Sequence, residues 1–541
     1  MTKRFGRLVR PLVSLTIGGG AVLGALFLFF GLRIELDGGG TPHLRFKESR
    51  SAQAARIAQH RATQRAAAPD VASLPPRSTA TPALPSSDDT GGGDSASPAR
   101  PSEASLPPAM AADAQRSAAG SSPSKSAGAG TSPAAASDAT GREARDAAPS
   151  GVIPGSWTDF RGPRRDGAYR GGPIVTAWPP GGLTPLWKQP AGGGYASFVT
   201  AGHRAFTIEQ RGVQEVVAAY DVMSGRELWT NAWEGEFQES MGGDGPRATP
   251  TWADGVLYAL GALGEFRALD GETGRVRWRT NILDDAGASN LQWGMSAAPL
   301  VVGNAVVVLP GGRNGQSVVA YDRNTGRRLW SALPDQAAYA SPMLVTLGGI
   351  RQIVLMTAER IVGMSEDGGS VLWSHPWQGP SNGINAAQPI ALGDDRLYVS
   401  AGYGMGAAVI QVTGGTAGFS TRELWRNTKM KNRFASAVLH EGIIYGLDES
   451  ILAAVDAKTG DLRWKGGRYG YGQLLLADGH LIVLTEDGDL ALVRATPVKH
   501  EELARFAVLN GKTWNPPAMA NGILLVRNLA EMAAFDLRAA R

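Results

Sequence analysis

The side chains that could carry out chemistry in this chain of 541 residues are few and far apart. Cysteine is absent, which excludes disulfides, thiolate metal sites, a cysteine nucleophile and a lipid-anchoring cysteine. No G-x-S-x-G or G-x-x-x-x-G-K-[ST] motif is present, so the sequence offers neither a nucleophile elbow nor a phosphate-binding loop. The histidines lack the HxH and HExxH spacings of zinc sites; they are His43, His60, His203, His375, His440, His480 and His500.

Carboxylates are the remaining candidates. Asp244, within Gly242–Pro246, is a candidate channel acid, and the sequence offers no second acid to pair with it. The segments Glu486–Asp489 and Gly402–Gly406 resemble parts of a calcium loop and a nucleotide loop, but their setting between short apolar runs predicts turns between strands. Four further aspartates recur at one position of a repeat, where an aspartate predicts a hydrogen-bonded turn; they are Asp221, Asp270, Asp322 and Asp456.

The repeat is the frame Ala-x-Asp-x-x-Ser/Thr-Gly-x-x-x-Trp. Its four full copies are Ala219–Trp229, Ala268–Trp278, Ala320–Trp330 and Ala454–Trp464, with a looser copy at Gly363–Trp373 and an interrupted one that ends at Trp425. The glycine supplies the positive φ that reverses the chain. The next strand then delivers the tryptophan, whose ring is expected to cover a small residue of the neighbouring sheet, namely the repeat alanine. The predicted docking residues are Trp229, Trp278, Trp330, Trp373, Trp425, Trp464, Gly225, Gly274, Gly326 and Gly460.

The spacing of the tryptophans predicts the fold. From Trp187 to Trp464 they recur every 39 to 52 residues, which is the length of one four-stranded propeller blade. Phe506 is the next landmark, and after it only about three strands fit before the chain ends. Leu183–Trp187 supplies the missing strand and closes the ring. The sequence therefore predicts an all-β, eight-bladed β-propeller, with seven blades as the alternative.

One set of residues is placed to form a site. The residues just before the first strand of each blade are expected to face the mouth of the central channel. Aromatic rings, amides and two arginines at such a mouth suit an anionic small molecule or a peptide; the alternative is an inner ring that only fills the channel. The predicted ligand-binding residues are Tyr195, Asp244, Arg247, Trp293, Tyr339, Asn385, Asn432, Arg433, Tyr471 and Trp514.

The repeat resembles that of the pyrroloquinoline-quinone (PQQ) propeller proteins, and the resemblance covers residues 157–541. The segment Trp157–Gly167 is similar to the opening of the PQQ-like bacterial repeat proteins. This superfamily includes quinoprotein dehydrogenases, which hold PQQ and calcium over the channel, and the non-catalytic lipoprotein of the outer-membrane β-barrel assembly machinery. The resemblance implies the quinoprotein-like fold and leaves both functions open.

The absence of cysteine separates these two functions in part. Alcohol dehydrogenases of the superfamily carry an adjacent cysteine pair beside the quinone, although some glucose dehydrogenases do not. With no cysteine and a single unpaired channel acid, we predict a binding or assembly scaffold without a cofactor, a catalytic residue or a metal site. The alternatives are a PQQ-dependent dehydrogenase that uses calcium, and a sensor of small ligands at the channel mouth.

The N-terminal part of the chain predicts a membrane anchor. Residues 11–32 carry no charge and are long enough to cross a bilayer, and the basic tail 1–10 places the N-terminus in the cytoplasm. Residues 33–156 are rich in Ala, Ser, Pro and Gly and predict a disordered tether, with a short helix near 51–65 and a reach of about 60 Å.

The charge of the chain also divides at this point. Residues 1–156 carry 17 Lys and Arg against 12 Asp and Glu, whereas residues 157–541 are nearly neutral, which argues against a nucleic-acid partner. We therefore predict a single-pass protein of the inner membrane whose periplasmic propeller, residues 157–541, binds protein partners.

Overall fold

The computed structural model describes residues 32–46, 48–67, 155–415 and 418–539, and these form an all-β protein with eight propeller blades. Each blade contains a four-stranded antiparallel sheet, whose strands follow chain order in blades one to seven, while blade eight takes its fourth strand from the start of the propeller. Blades one to four contain β5–β8 (Val199–Ala201, Arg204–Arg211, Gln214–Asp221, Glu227–Glu234), β9–β12 (Thr251–Ala253, Val256–Leu260, Glu265–Asp270, Val276–Asn281), β13–β16 (Leu300–Val302, Ala305–Val308, Val318–Asp322, Arg328–Ala332) and β17–β20 (Met343–Leu347, Ile350–Met356, Arg360–Met364, Val371–Pro376).

Blades five to eight complete the ring. They contain β21–β24 (Ile390–Ala391, Arg396–Ala401, Gly406–Gly415, Gly418–Asn427), β25–β28 (Val438–His440, Ile443–Asp448, Ile451–Asp456, Leu462–Arg468), β29–β32 (Gln473–Ala477, His480–Leu484, Asp489–Arg494, Glu502–Ala507), and β33–β35 (Ala518–Ala520, Ile523–Arg527, Glu531–Asp536) with β4 (Trp187–Pro190). Two short helices, α2 (Ile282–Ala286) and α3 (Pro380–Gly383), lie in loops between blades. The predicted eight-bladed propeller is confirmed.

The ring closes as the sequence predicts. Strand β4, from the start of the propeller, pairs antiparallel with β35 at its end, with Trp187 opposite Ala534 and Pro190 opposite Glu531. The closing strand begins at Trp187 rather than at Leu183. Its backbone occupies the edge of blade eight, which would otherwise be left with three strands.

The repeat turn shows why its residue types recur. In the second blade, Asp270 accepts hydrogen bonds from the backbone nitrogen of Thr273 at 3.0 Å and from its hydroxyl at 2.9 Å. The amide of Gly274 donates to the carbonyl of Asp270, and Gly274 has a φ of 71°. A β-bulge follows the repeat alanine, between Ala268 and Leu269, and analogous bulges recur in the other full copies.

The tryptophan rings pack between blades, but not on the predicted partner. A Cβ atom added to Gly326 would lie 2.7 Å from the Trp278 ring, whose Nε1 donates to the carbonyl of Arg323 at 2.9 Å. The repeat alanine Ala268 instead lies opposite Trp278 within the same sheet. Five rings cover the turn glycine of the following blade, because only a residue without a side chain leaves room for an indole there; they are Trp187, Trp229, Trp278, Trp330 and Trp425. Trp373 and Trp464 have no such glycine and donate instead to the Gln352 side chain and the Thr496 carbonyl.

The leader of the propeller closes one end of the channel. The Arg165 guanidinium donates to the carbonyls of Ala298 at 3.2 Å, Pro342 at 2.8 Å and Pro299, which precede or begin the innermost strands of blades three and four. Arg161 donates to the carbonyls of Ser436 and Ala437 beside blade six, and burial lowers its pKa to about 10. Strand β3 (Ala168–Tyr169) then joins blade seven, parallel to β29.

The tether prediction needs correction at its N-terminal end. Residues 32–46 form a hairpin of β1 (Leu32–Leu36) and β2 (Pro42–Phe46), and residues 50–66 form helix α1 (Arg50–Ala66), close to the short helix that the sequence predicts. Among the described residues no helix is long and apolar enough to cross a membrane. The predicted span lies outside the described residues up to residue 31, and so does the predicted tether from residue 68 to 154.

Helix α1 packs across the seam between blades one and eight. The side chains of Ile57 and Arg61, one turn apart, are 1% and 2% exposed. Arg61 donates to Gln189 of β4 at 2.7 Å and lies 3.4 Å from the Glu227 carboxylate of blade one. This docking depends on polar contacts from a helix of low hydrophobicity, which is why composition alone predicted disorder.

We expect the docking of α1 to weaken as the pH falls. His60 lies 3.3 Å from the Gln189 side chain, and burial, together with the charge of Arg61, lowers its pKa below the usual ~6.5. A depressed histidine pKa means that the docked state binds fewer protons, so its stability is full above pH ~6.5 and decreases below it. Hydrogen exchange of residues 50–66, corrected for intrinsic rates, should accelerate between pH 7.5 and 5.5. His60→Gln should remove this acceleration, and an unchanged pH dependence in that variant would refute the assignment.

Candidate functional site: the channel mouth

The mouth of the channel is lined by the loops that precede the innermost strands. We use "the mouth" for the aromatic and charged cluster formed by Tyr195, Arg247, Trp293, Tyr339, Tyr403, Arg433, Phe434, Glu449, Tyr471, Glu486, Lys512 and Trp514. The leader contacts the same segments three to five residues further along the chain, at the carbonyls of Ala298, Pro342 and Ala437, which are not part of the mouth.

The predicted aromatic residues meet in two groups. Trp514 stacks on Tyr195 with ring centroids 5.3 Å apart, and Phe434 joins them at 4.7 Å from Trp514 and 6.0 Å from Tyr471. Trp293 and Tyr339 form a second pair at 5.7 Å. The four loops before blades one, six, seven and eight therefore contribute to one continuous aromatic surface.

The two predicted arginines both lie at the mouth, and both contact neighbouring groups. The Arg433 guanidinium lies over the rings of Tyr403 and Tyr471, at 4.2 and 4.9 Å, and its Nε is 3.0 Å from the Glu449 carboxylate. Burial raises the pKa of Tyr471 to about 12, so its hydroxyl is neutral at physiological pH. Arg433 thus presents a fixed positive charge, held between two rings.

Arg247 instead contacts residues of its own loop. Its guanidinium donates to the carbonyls of Gly243, at 2.5 Å, and Gly245, and lies 4.5 Å from the centre of the Phe237 ring. These contacts fix the loop that contains Asp244, whose carboxylate accepts from the Glu239 amide at 3.3 Å. Asp244 lines a cleft of about 440 Å³ between the N-terminal segment and blades one and eight.

The two predicted amides are buried beneath the mouth. Asn385 and Asn432 are 0% and 1% exposed. Asn385 donates to the carbonyl of Thr357 at 2.9 Å, and Asn432 donates to that of Leu447 at 2.9 Å while accepting from the Tyr398 hydroxyl. Both amides therefore hold the loops in place, and neither reaches the surface of the mouth.

Glu486 is among the residues of the mouth that the sequence interpretation missed; the others are Tyr403, Phe434, Glu449 and Lys512. Its segment is the predicted turn, between β30 and β31, but its side chain accepts from Trp514 Nε1 at 2.9 Å and from the Tyr471 amide at 3.1 Å. In antiparallel blades the second strand returns to the end where the first began. Residues just after the second strands, such as Tyr403, Glu449 and Glu486, therefore share the mouth, and that topological rule would have found them.

The tip of the N-terminal hairpin occupies this surface. The amide of Gly38 donates to Glu486 at 2.8 Å, and Arg433 donates to the carbonyl of Gly38. Lys512, whose Nζ lies 4.1 Å from the centre of the Trp514 ring, donates to the carbonyl of Leu36 at 3.1 Å. A cleft of about 380 Å³ remains beside the tip.

The carboxylates of the mouth do not fit a calcium-bound quinone. Calcium needs six to eight oxygen ligands, with carboxylates among them. Glu486 and Glu449 instead accept backbone amides, the latter from Tyr403 at 3.0 Å. In the part of the chain that the structure describes, no three His, Asp or Glu side chains are grouped so as to hold a metal ion.

Comparisons with known proteins agree with the fold. The family model described as outer membrane protein assembly factor BamB matches residues 213–466, slightly less than half of the chain. The factor of that name from Yersinia pestis is 21% identical over 308 residues, which cover 52% of this chain and 74% of that protein.

Two solved structures are similar to this chain at low sequence identity. BamB from Moraxella catarrhalis is 17% identical, with a TM-score of 0.47, over 65% of this chain and 99% of that one. A quinohemoprotein alcohol dehydrogenase from Pseudomonas putida is 13% identical, with a TM-score of 0.48, over 72% of this chain and 82% of that one.

Proposed function

We propose that this chain, a PQQ-like β-propeller that resembles the outer membrane protein assembly factor BamB, is a non-catalytic scaffold that binds other proteins outside the cytoplasm. The observation that carries the proposal is the chemistry of the mouth. Its carboxylates and cations pair with backbone amides and carbonyls, including those of the N-terminal hairpin. Side chains arranged in this way recognise polypeptide rather than a metal or a quinone.

The outer rim supplies a second surface for partners. An aliphatic residue beside or near the landmark position of each outer strand remains 37–47% exposed in blades two to seven; these are Val276, Leu329, Val371, Leu424, Leu462 and Leu503. Exposed apolar groups that recur on one rim are a feature of contact surfaces. The outer strands also end their sheets, so their free backbone groups are accessible to an added strand.

Photo-cross-linking in the native cell tests the scaffold. A benzophenone amino acid at Val371 or Leu462 should form a discrete adduct with another envelope protein, because these side chains would lie in the interface. The matched control is Lys458, which is exposed on the repeat turn just before Leu462 and should form none. If all six aliphatic positions give no adduct in a folded chain, the scaffold proposal is wrong.

We further propose that residues 11–32 anchor the chain in the inner membrane with the propeller in the periplasm. Since the docked hairpin begins at Leu32, this anchor would hold the mouth close to the bilayer rather than at the end of a long tether. The basic tail sets the orientation. A reporter that is active only in the cytoplasm, fused after Arg541, should therefore be silent, and strong activity would reverse the topology.

A further inference from the structure

The tip of the N-terminal hairpin is a compact turn with its own internal hydrogen bonds. The Asp37 amide donates to the carbonyl of Thr41 at 3.0 Å, and the Thr41 amide donates to the Asp37 carboxylate at 2.7 Å. His43 Nε2 lies 3.5 Å from the same carboxylate. The polar side chains of the turn are thus satisfied within the hairpin, which leaves its main chain to contact the propeller.

The propeller contacts that main chain from three sides. Glu486 accepts the Gly38 amide, Arg433 donates to the Gly38 carbonyl, and Lys512 donates to the Leu36 carbonyl. All three partners are charged, and hydrogen bonds to charged groups are about twice as strong as those between neutral groups. These contacts do not depend on any side chain of the turn. The mouth therefore recognises the main chain of the turn.

Sequence selectivity comes from the flat ring of Tyr471. Gly38 is buried, and a Cβ atom in its place would lie 2.6 Å from Tyr471 Cβ and still closer to the ring. Arg433 lies against the same ring and Glu486 holds the Tyr471 amide, so the ring has little freedom to withdraw. At the neighbouring Gly39, an added Cβ would meet nothing nearer than the Asp37 carboxylate at 3.2 Å.

We propose that the mouth is a binding site for the main chain of a glycine-tipped β-turn, and that the chain's own hairpin is its tethered occupant. A partner protein that presents such a turn displaces the hairpin and takes the same contacts. This inference rests on the proposed scaffold function and names its partner chemistry. The tether raises the effective concentration of the hairpin to the order of mM, so only a well-formed turn competes.

The hairpin and α1 are held by separate contacts, so the hairpin can exchange with a partner while α1 stays in place. The tip depends on the three charged contacts, whereas α1 is fixed by Gln53, Arg61 and Gln64 to the seam of blades one and eight. Release of the tip therefore leaves α1 docked. The segment would stay beside the mouth and could rebind once a partner leaves.

A peptide competition with the full-length chain tests the proposal. The probe is the hairpin sequence 32–46, cyclised head to tail because an isolated hairpin is only marginally stable, and labelled for fluorescence anisotropy. Gly38→Ala in the protein should release its own tip, and Gly39→Ala is the matched control. The probe should bind the Gly38→Ala variant about 10-fold or more tightly than it binds wild type or Gly39→Ala.

Two further comparisons test whether the probe binds at the position of the hairpin tip. A probe with alanine at position 38 should bind no variant, and Glu486→Gln in the Gly38→Ala background should weaken the probe by about 10-fold, since a charge-assisted hydrogen bond is lost. Hydrogen exchange of residues 32–46 should rise in Gly38→Ala alone, with the rest of the propeller unchanged.

Several outcomes would overturn the proposal: equal affinity of the probe for wild type and Gly38→Ala, no binding to Gly38→Ala, or equal affinity of the glycine and alanine probes. A failure of the turn-site proposal can be distinguished from a failure of the scaffold proposal. Adducts at Val371 or Leu462 together with an inactive probe would refute the turn site alone, whereas a binding probe without adducts would refute the scaffold alone.

Discussion

Replacing Arg165 by methionine is expected to lower the free energy of unfolding by about 3–5 kcal/mol, the usual cost of breaking a buried ion pair. Arg165 is 2% exposed and donates to three backbone carbonyls and to the Asp159 carboxylate at 3.0 Å. Methionine fills the space but removes the side-chain donor to the carbonyls of Ala298 and Pro342 and the positive charge beside the Asp159 carboxylate. Chemical denaturation of the full chain, followed by intrinsic fluorescence, measures the change.

Two controls isolate the role of Arg165. Arg164→Met, at the exposed neighbour, should change stability by less than about 0.5 kcal/mol. Adding Asp159→Asn to Arg165→Met should restore part of the loss, because burial already raises the pKa of Asp159 and the amide removes the charge left behind. Equal effects at positions 164 and 165 would mean that the leader does not seal the channel.

Trp278→Ala is expected to cost about 3–5 kcal/mol, as large aromatic truncations in cores do. The ring is 8% exposed and packs between blades two and three against Gly326, Phe266 and Tyr321. Gly326→Ala should also destabilise, because its methyl group meets the indole and its φ of 73° disfavours any side chain.

A double-mutant cycle distinguishes these two causes. In the Trp278→Ala background, Gly326→Ala should cost only the strain of a positive φ, about 1 kcal/mol. Gly303→Ala is the matched control, since Gly303 has a φ of 54° with nothing near its added methyl group. If the cost of Gly326→Ala is the same with and without Trp278, the ring does not dock on this glycine.

The repeat made the fold predictable because one repeat corresponds to one blade and to one packing contact between neighbouring blades. Each full copy encodes one turn with Asp and Gly and one ring that packs toward the next blade, so the spacing of the copies gives the length of one blade, and the blades without a full copy follow from that length. The docking partner was less predictable. Ala268 and Gly326 are both small, and only their position across the blade boundary distinguishes them.

The segments before the propeller were the least predictable. The leader is stabilised by Arg161 and Arg165 donating to carbonyls more than 80 residues away, and the local sequence shows no period that would indicate this. Helix α1 and the hairpin dock through polar and main-chain contacts. Composition indicates only how much apolar surface a segment can bury. It therefore predicted disorder for the hairpin and α1, as it did for the low-complexity stretch that follows them.

The mouth was predictable in part for a geometric reason. Residues before the first strands were found from the repeat, and of these Tyr195, Arg433, Tyr471 and Trp514 come together. Asn385 and Asn432 lie one layer deeper, because amides satisfy the carbonyls of tight loops. Glu486 and Tyr403 follow second strands, so finding them needed knowledge of which turns return to the same end.

The central claim, that the mouth recognises polypeptide and performs no redox chemistry, is tested most directly by dye reduction. Purified full-length protein, supplied with PQQ and calcium, should not reduce an artificial electron acceptor with alcohols or sugars, because Glu486 and Glu449 are committed to backbone amides. Calcium-dependent turnover that is lost in Asp244→Asn would contradict the scaffold and make the chain a quinoprotein dehydrogenase.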